Sequence, residues 1–369
     1  MRFSCERSLL QAAATTASRA VAVKSSIPSL EGLLLQATDV LTISGYNLQT
    51  GIRTTVSADI QETGSLVLNA RFFNDMLRQL PDDVLTFSCE NLNVHLQCGD
   101  ANFNNIIALS AEDYPELPQV EDQYNLDIQQ HTLKQMIGET AFAVSTNEAR
   151  PVHTGALFEV DEKELTIVAV DGFRLAMRRE ELTKAEGTPF QFVTPGAALS
   201  EVEKICADSE DLAHITLGSR HILFETGTTQ LICRRLEGEF LDYRSAIPRK
   251  NPISVTVDTK SLIESINRVS VVISDKMKSP VRCIFEEDVI RLTAKTGTGT
   301  AYDLCRISGD GSGLEIGFNN RYLTEALRYA PADKVKMELN TSISPAIIVP
   351  EEGEERFLYM VLPVRLKGN

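Results

Sequence analysis

Hydrophobic and polar positions alternate along this chain in a pattern that occurs three times. Each copy opens with an alternating segment that predicts a strand running into a short amphipathic helix, at residues 3–17, 126–142 and 255–269. Two apolar strands follow in each copy, beginning near Leu33 and Leu41, near Ala156 and Leu165, and near Cys283 and Ile290. A second helix is predicted at residues 69–80, 194–206 and 319–330. Matching positions are roughly 123 to 129 residues apart, which is enough for each copy to be a whole domain. The pattern therefore predicts three copies of one domain.

Within each copy the order is one strand, one helix, three strands, a second helix and three or four further strands. Runs of strands with helices on one side are typical of α+β domains, so we expect two helices packed on antiparallel sheets in each copy. Proline and charged residues mark joints near residues 115–125 and 247–252. The predicted domains are residues 1–121, 122–249 and 250–369, and the last is expected to close with an edge strand at 357–361.

Length and composition limit the class of protein. The chain has 369 residues, too many for one hydrophobic core and suitable for three. No apolar run approaches the ~18 residues of a membrane span, and charged residues follow Met1 where a signal peptide would be apolar. The seven cysteines are scattered and form no C-x-x-C pair, which is typical of reduced thiols. We therefore expect a cytoplasmic protein with no membrane partner.

The net charge of −15 argues against a basic nucleic-acid footprint over the whole surface. The charge is unevenly distributed, because cations and anions nearly balance in the predicted helices and most of the acidic excess lies elsewhere. Since a binding surface responds to its local field, near-neutral helices are compatible with contact to a nucleic acid. They are also compatible with ordinary solvated helices.

Catalytic motifs find no support in the sequence. The glycine-rich segment at 295–300 matches neither common phosphate-binding pattern and no helix follows it, so we predict a loop between two strands. The five histidines lack further ligands at metal-binding spacing. Carboxylate pairs such as Glu286-Glu287 and Glu354-Glu355 are typical of solvated turns. The sequence predicts no enzyme activity, no cofactor and no metal site.

The C-terminal segment is apolar, whereas chain ends are usually polar and frayed. It reads Tyr359-Met360-Val361-Leu362-Pro363-Val364-Arg365-Leu366, followed by Lys367-Gly368-Asn369. Pro363 cannot continue a strand ladder because it lacks an N–H group, so Val364 and Leu366 need another surface to cover them. We infer a groove between two domains that accepts an apolar peptide.

Short segments along the whole chain carry a family resemblance. They are Met1-Arg2-Phe3 with Glu6-Arg7, Leu33-Leu34-Leu35-Gln36, Asn69-Ala70-Arg71-Phe72-Phe73, Asp113-Tyr114-Pro115, Val170-Asp171-Gly172-Phe173-Arg174-Leu175-Ala176, Asp242-Tyr243-Arg244 and Leu362-Pro363-Val364-Arg365-Leu366. In this order they resemble the bacterial replicative sliding clamps, the β subunits of the replicative DNA polymerase.

The resemblance implies a non-catalytic processivity factor: a head-to-tail homodimer of six domains, with helices lining a hole through which duplex DNA passes. A separate ATP-dependent loader opens such a ring. A domain of this size has a radius of roughly 17 Å, so three touching domains leave a hole of about 5 Å and six leave about 35 Å. Since duplex DNA is roughly 20 Å wide, one chain cannot encircle it and two can.

The resemblance also implies site residues. Lys24 and Arg150 match DNA-contacting positions, and the helix cations Arg71, Arg78, Lys134 and Lys204 are added to them. A pocket for short linear motifs of the polymerase and the loader is formed by Val170, Gly172, Phe173, Arg174, Leu175, Leu241, Pro345, Met360, Leu362, Pro363, Val364, Arg365 and Leu366. The dimer contact places Asn104 and Ile106 of one chain against Val272 and Ile273 of the other.

The chain departs from the family's pattern at a few of these places. Phe173, Leu241 and Ser245 stand where the family often has His, Pro and Arg. Pro151 and Val152 follow Arg150, where aromatic residues are frequent in the family. These departures bear on the fine specificity of the pocket and on contacts to tilted or single-stranded DNA.

Two other hypotheses remain. One is an enzyme that uses a three-domain scaffold for nucleotide chemistry, which would require a metal or phosphate motif. The other is a scaffold that binds only proteins on its outer faces, which would not be retained on closed circular DNA.

Overall fold

The repeat predicted from the sequence is present in the computed structural model. The structure describes residues 1–121, 123–187, 189–273, 279–353 and 356–366. The Glu354-Glu355 pair and the Lys367-Gly368-Asn369 tail lie outside these residues. Three series of elements follow one another along the described chain.

The first series is β1 (Arg2–Glu6), α1 (Arg7–Ala17), β2 (Gly32–Ala37), β3 (Leu41–Tyr46), β4 (Thr50–Val56), β5 (Asp59–Glu62), β6 (Gly64–Asn69), α2 (Ala70–Gln79), β7 (Val84–Glu90), β8 (Asn93–Cys98) and β9 (Ala101–Ile107). The second is β10 (Tyr124–Gln129), α3 (Gln130–Gly138), β11 (Gly155–Asp161), β12 (Glu164–Val170), β13 (Arg174–Glu181), β14 (Lys184–Glu186), β15 (Phe190–Pro195), α4 (Gly196–Ile205), β16 (Leu212–Leu217), β17 (His221–Thr226) and β18 (Thr229–Arg234). A short helix, α5 (Tyr243–Ala246), precedes the third, which is β19 (Ile253–Asp258), α6 (Thr259–Ser270), β20 (Val281–Thr296), β21 (Gly299–Phe318), α7 (Asn320–Arg328), β22 (Lys334–Leu339), β23 (Ala346–Pro350) and β24 (Phe357–Val361).

The third series has fewer and longer strands than the sequence predicts. The two strands expected at Cys283 and Ile290 are one strand, β20, whose pairing with β21 is irregular between Phe285 and Val289. Bulges of this kind bend a strand without ending it. The prediction of two separate strands is therefore wrong here, and the short helix α5 was not predicted.

Helices α2, α6 and α7 begin at side chains that cap them. Asn69 accepts a hydrogen bond from the backbone N–H of Phe72 at 3.0 Å, and Asp258 accepts one from Ser261 at 2.7 Å. Asn319 does the same for Arg321 and Tyr322 at 3.0 and 3.3 Å. Such caps satisfy N–H groups that the helix itself leaves unpaired.

Each helix buries one face against strands of its own series. Leu10, Ala13, Ala14 and Ala17 are the buried residues of α1, and Leu323, Thr324, Ala326 and Leu327 are those of α7. The core of the first series contains both helices and both groups of strands, including Phe3, Phe73 and Phe87. The predicted α+β architecture with helices on antiparallel sheets is confirmed.

Two large sheets continue across the predicted domain joints. One has the order β14-β10-β16-β17-β18-β4-β3-β2-β6, and the other has the order β15-β11-β12-β13-β24-β23-β22-β19-β21-β20. The pair β18–β4 joins the second series to the first, and the pair β13–β24 joins the second to the third. Consequently β24 is an internal strand between β13 and β23, and the expected edge strand at 357–361 is corrected in that respect.

By contact density the described chain forms two compact units. Unit 1 comprises Met1–Lys134, Thr183–Thr188 and Ser200–Arg235, and unit 2 comprises Gln135–Leu182, Pro189–Leu199 and Leu236–Asn369. Each unit contains one of the two large sheets. The three domain boundaries proposed from the sequence stay a prediction. In the described residues no helix has both the length and the apolar character needed to cross a membrane.

Candidate binding surfaces

The floor of the predicted peptide pocket is an apolar cluster in unit 2. Strands β13 and β24 run antiparallel there, with Leu175 opposite Met360. Val170, Leu175 and Met360 are nearly fully buried, with 2%, 1% and 7% of their surfaces exposed, and Leu362 packs on them. Tyr243 of α5 belongs to the same cluster. Sheet residues from two series and the segment between them thus share one hydrophobic layer.

The predicted mouth of this pocket is a tight turn between β12 and β13. Asp171 accepts hydrogen bonds through Oδ1 from the N–H groups of Phe173 and Arg174, at 2.9 and 3.1 Å. Gly172 has a φ of 89° in this turn, a conformation that favours glycine. The turn leaves Phe173 57% exposed, and Leu241 is 42% exposed. Large apolar side chains that are open to solvent in this way mark a surface suited to a partner.

Arg174 is buried directly behind the mouth, with 6% of its surface exposed. Its guanidinium donates to Asp171 Oδ2 at 2.9 Å, to Glu325 and to the carbonyl oxygen of Phe142 at 2.5 Å. It also lies over the ring of Tyr322, 4.8 Å from the ring centre. Arg174 therefore connects the turn to α7 and to the segment that follows α3.

Glu325 and Tyr322 complete this arrangement from α7. Burial alone would raise the pKa of Glu325, but hydrogen bonds from Arg174 and Arg321 lower it below its ordinary value. The ring of Tyr322 stacks on Phe173 with centres 5.7 Å apart. Sequence reasoning missed Phe142, Tyr322 and Glu325. The pattern of α7 gave one signal, since Tyr322 lies outside the buried positions of that helix.

The C-terminal segment leaves β24 at Pro363, as the missing N–H group of proline requires. Leu362 N–H donates to the carbonyl of Phe173 at 2.9 Å, and Val364 N–H donates to the carbonyl of Gly317 at 2.7 Å. A Cβ at residue 317 would lie 2.6 Å from Leu366 Cδ2, so glycine permits this close approach. Pro345 and Leu366 are half-buried and Arg365 is exposed. Arg365 and Leu366 also line a cavity of about 580 Å³ with Ile343.

The six candidate DNA-contacting cations are distributed over both units. Lys24, Arg71, Arg78, Lys134 and Lys204 belong to unit 1, and Arg150 belongs to unit 2. Arg71 has 93% and Arg78 has 58% of its side chain exposed, while Lys134 and Lys204 are at 34% and 43%. Lys24 and Arg150 are exposed on loops.

The predicted dimer residues lie at strand edges and at the end of α6. β9 is the last strand of the sheet β5-β1-β7-β8-β9, and Asn104 on it is exposed. Ile106 is 7% exposed and belongs to the core, whereas its neighbour Ile107 is 75% exposed. A bulge in β9 near Asn105, whose φ is 58°, accounts for this orientation.

Val272 and Ile273 follow α6 and are half-buried, and Val271 is 83% exposed. The carbonyl of Val272 accepts hydrogen bonds from the hydroxyl groups of Thr296 and Thr298, at 2.8 and 3.1 Å. The glycine-rich segment at 295–300 is thus the turn between β20 and β21, and the prediction of a loop between strands is confirmed.

The remaining chemistry offers little for catalysis. All seven cysteines are free, and burial raises the pKa of each of them, as for Cys233 to about 12. No group of three or more His, Cys, Asp or Glu residues within the described ranges has an arrangement suited to a metal ion.

Comparison with known proteins covers nearly the whole chain. Residues 1–118, 127–242 and 244–365 match the models of the DNA polymerase III beta subunit N-terminal, central and C-terminal domains. The beta sliding clamp of Staphylococcus aureus is 29% identical over 377 residues, covering 99% of both chains. That of Bacillus subtilis is 27% identical over 387 residues, covering 99% of this chain and 100% of the relative.

Solved structures give the same result. The DNA polymerase sliding clamp of Bacillus subtilis superimposes with a TM-score of 0.93 at 28% identity, covering 100% of both chains. A Pseudomonas aeruginosa sliding clamp bound to griselimycin gives 0.93 at 26% identity, covering 99% of this chain and 100% of that one.

Proposed function

This chain belongs to the DNA polymerase III beta-subunit family, the bacterial sliding clamps, which are processivity factors and not catalysts, and on that premise we propose how its residues do that work. Two copies close into a ring around duplex DNA. The pocket of unit 2 takes short apolar motifs of the polymerase and the loader. Unit 1 and Arg150 supply sequence-independent contacts to phosphate groups.

One observation carries the proposal: strands of neighbouring series pair at both joints within the chain, and an equivalent pair of edges is left over. At the first joint Ile232 of β18 lies opposite Gly51 of β4. At the second Met360 of β24 lies opposite Leu175 of β13. A ring needs a third joint of the same kind between copies.

The leftover edges are β9 and the first half of β21. β9 ends its sheet, and within the described residues β21 pairs with β19 only at Ser308 and Ile307. Positions in equivalent strands can be compared by counting residues from the hairpin turn of each strand. By this count Thr300 is equivalent to Gly51 and Leu175, and Asn104 is equivalent to Ile232 and Met360. We therefore expect Asn104 of one protomer opposite Thr300 of its partner, with Ile107 and Val271–Ile273 beside this pair.

The two-fold arrangement makes both contacts identical, so a closed dimer pairs β9 and the first half of β21 in both protomers at once. Ile107 supplies the apolar contact that the family resemblance predicts for Ile106, because Ile106 is in the core. Strand pairing between copies uses the same main-chain hydrogen bonds as the joints within the chain.

The pocket suits a peptide with one or two apolar anchors. Its proposed floor is the buried apolar cluster of unit 2, and Phe173 and Leu241 are the exposed apolar side chains proposed for its mouth. Binding energy at such surfaces is concentrated in a few buried anchors. Every residue proposed for the pocket belongs to unit 2, so one chain supplies a complete site.

The test is retention on DNA of different topology. The protein is loaded with a clamp loader and ATP onto nicked circular DNA, and half of the sample is then linearised. We expect protein to remain on circles and to be lost from linear ends. Equal retention on both forms would indicate ordinary surface binding, and failure to load with a compatible loader would favour the protein-only scaffold.

A further inference from the structure

Most of the candidate DNA-contacting cations already hold a carboxylate of this chain. Asp75 on α2 is four residues after Arg71 and three before Arg78, which places all three side chains on one face of the helix. Arg78 lies 2.8 Å from Asp75 Oδ1, and Arg71 Nε lies 3.9 Å from Oδ2. One acid thus faces two cations.

Glu201 on α4 is placed in the same way. Its Oε1 accepts a hydrogen bond from Lys204 at 2.7 Å, and its Oε2 is 3.7 Å from Arg19, in the segment after α1. Only 20% of the Glu201 side chain is exposed. Because Arg19 and Lys204 come from different series, Glu201 holds cations from two repeats within unit 1.

Lys134 on α3 completes the set, with its Nζ 3.4 Å from Asp208. Lys24 and Arg150 differ from the other four candidates, since neither takes part in an ion pair in the part of the chain that the structure describes. The helix cations are therefore paired, and the two loop cations are available.

The pairing changes what a phosphate group gains by approaching. An ion pair whose carboxylate is exposed, as Asp75 and Asp208 are, stabilises a protein only slightly, so phosphate can displace the carboxylate. The displaced carboxylate then takes up a cation from solution, which offsets part of the counterion release that normally drives DNA binding. Each such contact is weak and depends little on salt concentration.

We propose that Asp75, Glu201 and Asp208 weaken the contact between the helices and the DNA backbone, so that an encircling ring moves freely. This inference rests on the proposed clamp function and assigns these acids a positioning role toward the cations. The inference does not follow from the net charge of the chain. It is based on the short distances between these three acids and particular cations.

The test compares the intact protein with the triple variant Asp75→Asn, Glu201→Gln, Asp208→Asn. Its probe is a fluorescein-labelled linear duplex of 30 base pairs, titrated by fluorescence anisotropy at several KCl concentrations. The plot of log affinity against log salt should become steeper by about 0.9 for each released cation that meets a phosphate group. Affinity at the lowest salt concentration should rise at least tenfold.

Glu286→Gln is the matched control. It makes the same kind of charge change and releases Arg291, whose guanidinium lies 2.7 Å from Glu286. Arg291 alternates with the buried Ile290 and Leu292, so it lies on the sheet face away from the core. The salt slope of Glu286→Gln should equal that of the intact protein. Asp75→Asn alone, at a side chain that is 53% exposed, serves if the triple variant folds poorly.

The outcomes separate this inference from the function on which it rests. An intact protein that is retained on circles, with variants whose salt slope is unchanged, overturns the inference and leaves the clamp function standing. An intact protein that is lost from circles contradicts the clamp function itself. A salt slope of Glu286→Gln as steep as that of Asp75→Asn alone, which changes the charge by the same one unit, would show that any added charge suffices, which also overturns the inference.

Discussion

Arg174 carries a full positive charge at a position that is 6% exposed, so its neighbours decide its effect on stability. A buried charge without partners costs several kcal/mol, about 3–5 when one member of a pair is removed. Here Asp171, Glu325 and the carbonyl of Phe142 all accept from it. The consequence is a mouth of the pocket whose position is tied to α7.

The exposed side chains at that mouth lead to a first prediction. Phe173→Ala and Leu241→Ala should each weaken binding of a polymerase-derived peptide at least tenfold, about 1.4 kcal/mol, because both remove apolar anchor surface. Fluorescence polarisation with the labelled peptide measures this. Val84→Ala, at an apolar residue that is 56% exposed elsewhere, is the control. Unchanged affinity in both variants would remove Phe173 and Leu241 from the pocket.

Glu139 is a second residue whose surroundings alter its chemistry. Burial and, to a smaller extent, the nearby Glu180 raise its pKa to about 7, against the attraction of Arg178 at 3.0 Å. In the unfolded chain the carboxyl group ionises at its model value of 4.5. Between these two pH values the carboxyl group is mostly ionised in the unfolded state and mostly protonated in the folded state. Glu139 therefore contributes stability below pH 4.5 that is lost as pH rises through 7.

We accordingly predict that Glu139→Gln gains stability relative to the intact chain as pH rises from 4.5 to 7.5, by at most about 3 kcal/mol. Thermal unfolding of both proteins at several pH values measures the difference, in which the other carboxyl groups cancel. Glu164→Gln is the control, because the Glu164 side chain is 46% exposed and pairs with Arg179 at the surface. A difference that stays constant over this range would contradict the assignment.

Single residues also show where sequence reasoning ends. The burial of Val170, Leu175 and Met360, the proposed pocket floor, was predictable because they lie in apolar strand patterns. Asp171 is close to Arg174 in sequence, but its other partners, at positions 142, 322 and 325, are far from it along the chain, and no spacing rule connects them. Ile106 and Ile107 are both apolar, and only the bulge near Asn105 decides which one faces outward.

At the scale of elements, helices were predicted best. Their apolar positions at helical spacing and their capping residues lie close together in sequence, so the information is local. Strand limits in the third series were predicted poorly, because a bulged strand and two separate strands have similar alternation. The place of β24 within its sheet depends on β13, about 180 residues earlier, and no local pattern contains that pairing.

The unpaired edges give a prediction at this scale. Ile107→Asp, or Glu at both Val272 and Ile273, should yield monomers, because a charge would be buried between strands where no partner charge is present. Analytical ultracentrifugation reports the mass. Ile343→Asp, at a residue that is 72% exposed near the C-terminal segment, should remain dimeric. A dimer mass in the edge variants would refute the proposed contact.

At the scale of the whole molecule, the sequence predicted three copies of one domain but not how their sheets connect. The repeat is written in each copy separately, whereas the pairs β18–β4 and β13–β24 bring together strands from different copies. These pairings explain why compactness divides the chain into two units, each built around a sheet that spans a joint. The repeating unit of sequence and the compact unit of structure are therefore different.

Those joints have a consequence for evolution. Main-chain hydrogen bonds are the same whatever the side chain, so a joint made of them persists while sequences drift, in keeping with a TM-score of 0.93 at 28% identity. The proposed joint between copies would depend equally little on the side chains. If one cell contained two diverged proteins of this family, they would tend to form mixed rings. Only mismatched charges or steric clashes at the edge strands would prevent this.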